Sequence, residues 1–357
     1  MTDAVSERET KILGIIETAR AKRGKFRDEH VTMSHGAGGK ATQSMIEGLF
    51  APAFGSDADA DAGAVEEGLV MTTDSFVVKP IRFPGGSIGE LAVNGTVNDL
   101  AVSGARPLAL SLSLILEEGL SSQTLREEVE AIASAARDAD VQIVAGDTKV
   151  VERGHADSIY AITTGVGRTD PRARMSPAAL RPGDRILVSG RVGDHGTAIM
   201  LARGEFELGG AEIASDTCCL WPAVDALLEE SGPALRCMRD ATRGGVASVL
   251  NELARASNVA MLVREAAVPV HPAVAGAAEI LGIDPMYVAN EGKFVAFVDP
   301  GHADAALAAL RGVPGCEDAA EIGEVRTEPP GMVLVETGFG GKRVMDQLVG
   351  DPLPRIC

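Results

Sequence analysis

The chain has 357 residues, which is enough for two domains that each bury a core. Its formal net charge of −18 argues against nucleic-acid binding, which requires a basic surface, and 3% aromatic residues are few for a surface on which single strands stack. No apolar run approaches the roughly 18 residues that cross a bilayer, and the charged N-terminus lacks a signal-peptide core. We therefore predict a cytoplasmic protein, and the abundance of Ala, Gly and Val fits a tightly packed enzyme of the α/β or α+β class.

Sequence patterns divide the chain into four segments. Residues 1–30 are predicted to be a helical extension, because apolar residues recur among charges at helical spacing. Residues 31–168 alternate strand and helix patterns, and we predict one domain there. Residues 169–345 open with a linker at 169–184 that contains Pro and Gly, and they are predicted to form a second domain, a mixed sheet with helices. Residues 346–357 are predicted to be a flexible tail.

The cysteines are few, odd in number and without zinc-ligand spacing, so we expect reduced thiols. They are Cys218, Cys219, Cys237, Cys316 and Cys357. The adjacent pair is expected to be packing residues. Cys357 is the last residue of the sequence and follows two prolines that keep the backbone extended. Such a tail is either a frayed end or a way to carry a sulfur nucleophile into a pocket elsewhere.

A dense glycine cluster, Ser34–Lys40, precedes a helical pattern. Glycines at positions 36, 38 and 39 allow backbone N–H groups to approach an anion. The spacing is neither that of a P-loop nor that of a dinucleotide-binding loop. The cluster alone therefore leaves phosphate binding and a plain surface loop both open.

Three aspartates are candidates for a divalent cation. Asp74 follows a strand predicted at 69–73, Asp99 lies on a predicted helix, and Asp147 follows a strand predicted at 141–144. Each alone is typical of a cap or turn. Mg²⁺ prefers oxygen ligands and bridges acidic side chains to phosphates, so together with the glycine cluster they predict a Mg–nucleotide site in spite of the acidic composition.

Other stretches of the first domain are less informative. Residues 55–68, rich in Ala, Asp, Gly and Glu, are predicted to be an exposed loop. Residues 121–139 are predicted to be a helix whose buried stripe includes Leu125, Val129 and Ile132. Asn98 lies on the same predicted helix as Asp99 among small apolar residues. A buried amide is costly unless it is bonded, which favours ligation over capping.

Two loops of the second domain carry polar groups. Asp240 and Thr242 lie in a loop that ends in two glycines and leads into a helix predicted at 246–256. Glu291 immediately precedes a strand predicted at 293–298. It is either a carboxylate that faces a pocket or an ordinary hairpin-turn glutamate.

Taken together, several stretches resemble a known family. They are Ser34–Lys40, Thr73–Val78, Phe83–Gly86, Leu91–Leu100, Gly146–Val151, Asp240–Gly245, Asn290–Gly292 and Pro354–Cys357. The loops resemble those of the ATP-binding superfamily of aminoimidazole ribonucleotide synthetase and selenophosphate synthetase. The Pro-Arg-Ile-Cys end narrows the resemblance to the HypE family of hydrogenase maturation proteins. It covers about residues 31–357, with Ser87 standing where many relatives have Asp.

The resemblance implies a homodimer whose N-terminal domains share a β-barrel, with ATP and Mg²⁺ bound between the two domains of each chain. The implied nucleotide ligands are Gly36, Gly38, Gly39, Asp74, Asn98, Asp99, Asp147, Asp240 and Thr242. The implied metal ligands are Asp74, Asp99 and Asp147.

The implied activity is dehydration of a carbamoyl group on the terminal thiol. In the family, HypF places the carbamoyl group on the cysteine, here Cys357, and ATP-dependent loss of water gives a thiocyanate. The cyanide then passes to a HypC–HypD complex for the iron of [NiFe]-hydrogenase. Glu291 is the implied base and Lys149 the implied charge stabiliser, and these two roles could be exchanged.

Two other readings stay open from the sequence. One is another ATP-dependent synthetase or kinase of the same superfamily, although the glycine cluster lacks the Cys or selenocysteine typical of selenophosphate synthetase. The other is a non-catalytic carbamoyl carrier with a vestigial nucleotide site. The acidic residues Asp74, Asp99 and Glu291 disfavour the carrier.

Overall fold

The computed structural model describes residue 26 and residues 28–54, 61–204 and 212–348. The helix predicted at the N-terminus and the tail with Cys357 lie outside the described residues. Two sheets with helices packed on them form the described part, which confirms the predicted α+β class. No helix within these ranges is long and apolar enough to cross a membrane.

The N-terminal part is organised around one sheet. Its strands are β1 Gly63–Glu66, β2 Leu69–Phe76, β3 Arg82–Phe83, β4 Gly86–Ser87, β5 Ala105–Glu117, β6 Gln142–Val151 and β7 Ile159–Thr169. In the described part of the chain, five of them form a sheet in the order β1-β2-β7-β5-β6, and β3 pairs with β4. The β5–β6 pair is parallel and the other neighbours are antiparallel. β1 and β6 are therefore the edge strands.

The helices of this part differ sharply in burial. They are α1 Lys40–Met45, α2 Ala51–Phe54, α3 Ile88–Val102 and α4 Ser122–Asp138, with a π-helical turn at Ile46–Phe50. Helix α3 starts where Ser87 Oγ accepts a hydrogen bond from the Gly89 N–H at 3.2 Å. It is buried on nearly all sides, because it packs on the first sheet and also contacts the C-terminal part.

The buried face of helix α4 differs from the one predicted from the sequence. Val129 was expected in the buried stripe, but it is 46% exposed, whereas Glu128 is 2% exposed. The Glu128 carboxylate accepts the Gly89 N–H at 3.0 Å and lies 2.8 Å from Arg82. These donors offset the cost of burying a charge, and a pattern of apolar residues cannot reveal them.

Three strand boundaries also differ from the prediction. Strand β2 does not end before Asp74 but continues through it to Phe76. Part of the loop predicted at 55–68 forms the short strand β1. Strand β6 does not stop before Asp147 but continues to Val151, because its parallel partner β5 extends the hydrogen-bonded ladder along its whole length. Asp147 therefore lies inside an edge strand rather than at a strand end.

The C-terminal part contains the second sheet. Its strands are β8 Arg185–Val188, β9 Leu235–Asp240, β10 Ala260–Arg264, β11 Phe294–Val298, β12 Ala320–Arg326, β13 Val333–Glu336 and β14 Lys342–Met345. They are ordered β14-β13-β10-β12-β8-β11-β9 among the described residues. Alternate residues of β11 enter two separate cores, Phe297 one and Phe294 the other. Helices therefore cover both faces of this sheet.

The helices of the C-terminal part connect these strands. They are α5 Asp194–Ala202, α6 Trp221–Ser231, α7 Gly245–Ala256, α8 Pro272–Leu281 and α9 Ala303–Arg311. Helix α3 of the N-terminal part contacts α6 and β9. This contact brings the polar residues of α3 to the end of β9, where Asp240 lies.

His195, on α5, makes acid stability testable. The ring is fully buried, its Nδ1 lies 2.8 Å from Ser215 Oγ, and burial lowers its pKa to about 4. Below the ordinary pKa of about 6.5 the unfolded chain binds a proton at this histidine and the folded protein does not. The free energy of unfolding is therefore unaffected by this group above pH 6.5 and decreases as the pH falls toward 4. We expect His195→Gln to lower the slope of unfolding free energy against pH in this window by up to about 1.4 kcal/mol per unit.

Urea unfolding followed by circular dichroism between pH 4 and 7 measures this slope. The exposed histidine His302, changed to Gln, is the matched control and should leave the slope unchanged. Equal slopes for wild type and His195→Gln would contradict a neutral buried imidazole.

Candidate active site

Four carboxylates meet where the two parts of the chain join. Asp74 comes from β2, Asp99 from α3 and Asp240 from the end of β9, and Asp61 precedes β1. Burial, and then the charges of Asp240, Asp74 and Asp61, hold the pKa of Asp99 well above its usual range. The pKa of Asp240 is raised well above its usual range by burial and by the charges of Asp61, Glu291 and Asp74. Such a set of buried, mutually repelling oxygens suits a bound cation.

Asp61 is not among the site residues that the sequence predicts. It fell in the segment expected to be an exposed loop, yet its side chain is 15% exposed and lies 3.0 Å from Arg239 Nε. Burial raises the pKa of Asp61 to about 6. The run of alternating Asp residues before it was the available signal, and it is equally typical of solvated loops.

The glycine cluster and the Asp240 loop lie against each other. A Cβ on Gly38, whose φ is +74°, would lie 2.7 Å from the Arg243 Cβ. Arg243 in turn reaches Asp74 Oδ1 at 3.3 Å. Gly39 is the N-cap of α1, and a Cβ on Gly36 would meet nothing within 4 Å. The predicted nucleotide loop is thus brought to the acidic residues.

The backbone of Glu291 is held in place by hydrogen bonds at both its N–H and its carbonyl. Its side chain belongs to the same electrostatic cluster, and the residue is 4% exposed. Its N–H donates to Asp216 Oδ1 at 3.0 Å, and its carbonyl accepts from Asn98 Nδ2 at 3.1 Å. Asn98 also donates to the Cys218 carbonyl and accepts the Leu220 N–H, both within 2.9 Å. The Asn98 amide therefore positions the Glu291 loop.

Thr242 and its neighbours complete this loop. The Thr242 carbonyl accepts the Gly245 N–H at 2.9 Å, which turns the chain into α7. Asn290 donates to the Ala241 carbonyl through both its N–H and its side chain. The Asp240 and Glu291 loops are therefore directly bonded to each other.

Asp147 and Lys149 are not brought to this cluster within one chain. On β6 they pair with each other at 3.0 Å, with side chains 61% and 71% exposed. The hydrogen bond from Lys149 lowers the pKa of Asp147. Among the described residues of one chain, no three His, Cys, Asp or Glu side chains are arranged as a metal site. The role of Asp147 as a metal ligand stays a prediction.

The start of the tail lies beside the glycine cluster. The Lys40 N–H donates to the Leu348 carbonyl at 3.3 Å, and Lys40 Nζ pairs with Asp346 at 2.9 Å. Tyr287 Oη donates to the Asp346 carbonyl at 2.7 Å. The chain that continues to Cys357 therefore leaves the described structure next to the candidate active site.

The tight fit of the Glu291 loop predicts a large effect at Gly292. A Cβ there would lie 1.8 Å from the Asp216 carbonyl oxygen. We expect Gly292→Ala to lower the free energy of unfolding by about 3 kcal/mol, because backbone would have to move. Gly276→Ala on α8, where a Cβ meets nothing within 4 Å, should instead raise it by up to about 1 kcal/mol.

Urea unfolding of both variants measures this difference. Equal free energies of unfolding for Gly292→Ala and Gly276→Ala would show that the loop is not tightly packed.

Comparison with known families agrees with the fold. The family of AIR synthase related proteins matches both parts of the chain, its N-terminal domain over residues 59–169 and its C-terminal domain over residues 181–335. The two-part α+β fold with an acidic site at the junction thus defines a member of this class.

Close relatives narrow the class. The carbamoyl dehydratase HypE of Bradyrhizobium diazoefficiens is 49% identical over 93% of this chain and 97% of its own length. The HypE of Escherichia coli K12 is 44% identical over 92% of this chain and 99% of its own length. The chain belongs to the HypE family.

Solved structures support the same assignment. A HypE crystal structure in complex with ATP is 43% identical, with a TM-score of 0.78 over 92% of this chain and all of that one. A HypE–HypF complex gives 42% identity and a TM-score of 0.82 over 85% of this chain and 99% of that one.

Proposed function

We propose that this protein is an ATP-dependent carbamoyl dehydratase that converts an S-carbamoyl group on Cys357 to a thiocyanate, the source of cyanide for [NiFe]-hydrogenase iron. Membership of the HypE family supports the activity. The observation that carries the site is the convergence of Asp74, Asp99, Asp240 and Glu291 where the tail begins.

ATP is the proposed co-substrate, and a HypE relative has been solved with it. The glycine cluster over Arg243 would cover the phosphates. The carboxylates of Asp74 and Asp99 would hold Mg²⁺ together with phosphate oxygens, because Mg²⁺ is usually bound by one or two carboxylates and by the phosphates of the substrate. When bound, Mg²⁺ would offset charge on the transferred phosphoryl group.

The reaction needs a leaving group and a base. The carbamoyl oxygen attacks the γ-phosphorus, ADP leaves, and one N–H proton is lost, which gives an O-phosphorylated imidate on the Cys357 sulfur. Loss of the second N–H proton then expels phosphate and forms the C≡N bond. We assign Glu291 as the base, because it is buried beside Asp240 and its backbone is fixed by Asp216 and Asn98.

We also propose a homodimer formed through β6. Every residue of this edge strand but the last is exposed, and Val144 and Val150 are 66% and 67% exposed. Exposed apolar edge strands pair with other chains. If β6 paired with the β6 strand of a second chain, Asp147 and Lys149 would lie at the active site of that second chain. Such pairing would explain why they lie away from the acidic cluster of their own chain.

The proposed partners follow from the reaction. HypF would carbamoylate Cys357, as the HypE–HypF complex of a relative supports. A HypC–HypD complex would accept the cyanide, and we propose that all of this occurs in the cytoplasm.

Intact mass after each step tests the proposal. Treatment with HypF and carbamoyl phosphate should add one carbamoyl group at Cys357, and ATP with Mg²⁺ should then remove one water. Cys357→Ser should show neither change. ATP consumption on a free small molecule, with Cys357 unmodified, would favour another synthetase or kinase.

A further inference from the structure

The peptide groups around Glu291 are held by three side chains. Asp216 Oδ1 accepts the Glu291 N–H at 3.0 Å, and Asn98 Nδ2 donates to the Glu291 carbonyl at 3.1 Å. One residue further along, Lys293 Nζ donates to the Gly292 carbonyl at 2.9 Å. Three consecutive peptide groups therefore each have a hydrogen bond to a side chain.

Asp216 and Lys293 also form a buried ion pair. Their side chains are 4% and 8% exposed, and Lys293 Nζ lies 3.8 Å from Asp216 Oδ2. One member of the pair bonds the peptide group before the Glu291 Cα, and the other bonds a peptide group after it. The pair therefore holds the loop at both ends.

The segment that carries Asp216 is itself fixed by the N-terminal part of the chain. The Ser215 N–H donates to the Pro84 carbonyl at 2.7 Å. On the other side of Asp216, Thr217 Oγ1 accepts a hydrogen bond from Asn94 Nδ2 of helix α3 at 3.2 Å. The Asp216 carboxylate is therefore a fixed point against which the neighbouring loop is held.

Stability alone does not account for a buried ion pair. Removing two charges from water costs free energy that their attraction often fails to recover, and well-packed apolar replacements of such pairs are often at least as stable. Hydrogen bonds from charged groups, in contrast, are shorter and stronger than those between neutral groups. What Asp216 and Lys293 supply is two such bonds to the backbone of the loop that carries Glu291.

We propose that Asp216 and Lys293 are positioning residues for Glu291, which hold its carboxylate in the geometry that proton transfer from the carbamoyl nitrogen requires. The inference rests on the proposed function, because Glu291 is the base only in that reaction. A general base must lie within hydrogen-bond reach of the proton that it takes, and a displacement of about 1 Å can slow a reaction roughly 100-fold.

A graded series of three double variants tests the positioning. The first, Asp216→Asn with Lys293→Gln, removes both charges but keeps an acceptor for the Glu291 N–H and a donor for the Gly292 carbonyl. The second, Asp216→Asn with Lys293→Met, keeps only the acceptor. The third, Asp216→Leu with Lys293→Met, keeps neither. Intact mass of the carbamoylated protein gives the rate of water loss in a single turnover at several ATP concentrations.

The rate at saturating ATP is expected to fall in steps along this series. The first variant should lose about threefold or less, the second about tenfold and the third roughly 100-fold. The ATP concentration that gives half of the maximal rate should stay unchanged, because no variant alters the glycine cluster, Asp74 or Asp99. The melting temperature of the third variant should stay near that of the first.

Three results would overturn the proposal. One is a third variant that dehydrates as fast as the first. Another is a first variant as slow as a folded third one, because the charges and not the hydrogen bonds would then matter. If the third variant does not fold, equal rates in the first and second variants would have the same consequence.

Asp184 and Arg236 provide a matched control. Their side chains are 2% and 14% exposed, with Arg236 Nε 3.4 Å from Asp184 Oδ1. Asp184 also accepts a backbone N–H, that of Arg181, at 2.7 Å, but this loop carries none of the site residues. Asp184→Leu with Arg236→Met should therefore dehydrate at the wild-type rate.

Hydrogen exchange separates this inference from the proposed function. Deuterium uptake by a peptic peptide that covers residues 289–293 should be at least about tenfold faster in the third variant than in the first. If wild type loses no water but exchange follows this order, the dehydratase proposal fails, and Asp216 and Lys293 still hold the loop. If wild type loses water and neither the rate nor the exchange differs among the variants, the positioning fails alone.

Discussion

Replacing Glu291 by glutamine is expected to leave carbamoylation of Cys357 and ATP binding intact and to slow loss of water by roughly 10²- to 10⁴-fold. Glutamine has nearly the same shape but cannot accept the N–H proton. The backbone bonds to Asp216 and Asn98 do not depend on the side chain, so the loop should stay in place. Rapid-quench intact mass of the carbamoylated protein measures the rate.

Glu279→Gln provides the matched control, because Glu279 is an exposed carboxylate on α8. It should dehydrate at the wild-type rate. If Glu291→Gln also dehydrated at the wild-type rate, Glu291 would not be the base. If Glu291→Gln lost ATP binding instead, Glu291 would be a ligand rather than a base.

Mixing two inactive variants is expected to restore activity if Lys149 acts across the dimer. Lys149→Ala and Glu291→Gln should each be nearly inactive. In a mixed dimer, one site combines an intact Glu291 with an intact Lys149 from the other chain. Random pairing of equal amounts should give about one quarter of wild-type activity, because half of the dimers are mixed and each has one complete site. Dehydration per chain after co-expression measures this.

A second mixture serves as the control. Asp240 and Glu291 belong to the cluster of a single chain, so dimers of Asp240→Asn with Glu291→Gln should stay inactive. Recovery there would mean that the variants keep residual function. If the first mixture regains no activity, Lys149 either acts in the site of its own chain or takes no part in the reaction.

The strongest local patterns were predicted from sequence with little error. Helix α4 spans Ser122–Asp138 where a helix is predicted at 121–139, and helix α7 spans Gly245–Ala256 where one is predicted at 246–256. The sequence also identifies Asp74, Asp99, Asp240 and Glu291 as candidate site residues. These features follow from neighbours along the chain and from residue types that suit phosphate and cation chemistry.

Tertiary structure decided which of these residues meet. Asp61 pairs with Arg239 at 3.0 Å beside the cluster, and the Asn98 side-chain amide donates to the Glu291 carbonyl at 3.1 Å. Strand β6 holds Asp147 and Lys149 away from the cluster of their own chain. Sequence by itself determined the family, the chemistry and the local elements. Contacts between residues far apart in the chain determined the site, because burial and charge pairing depend on packing that no local pattern specifies.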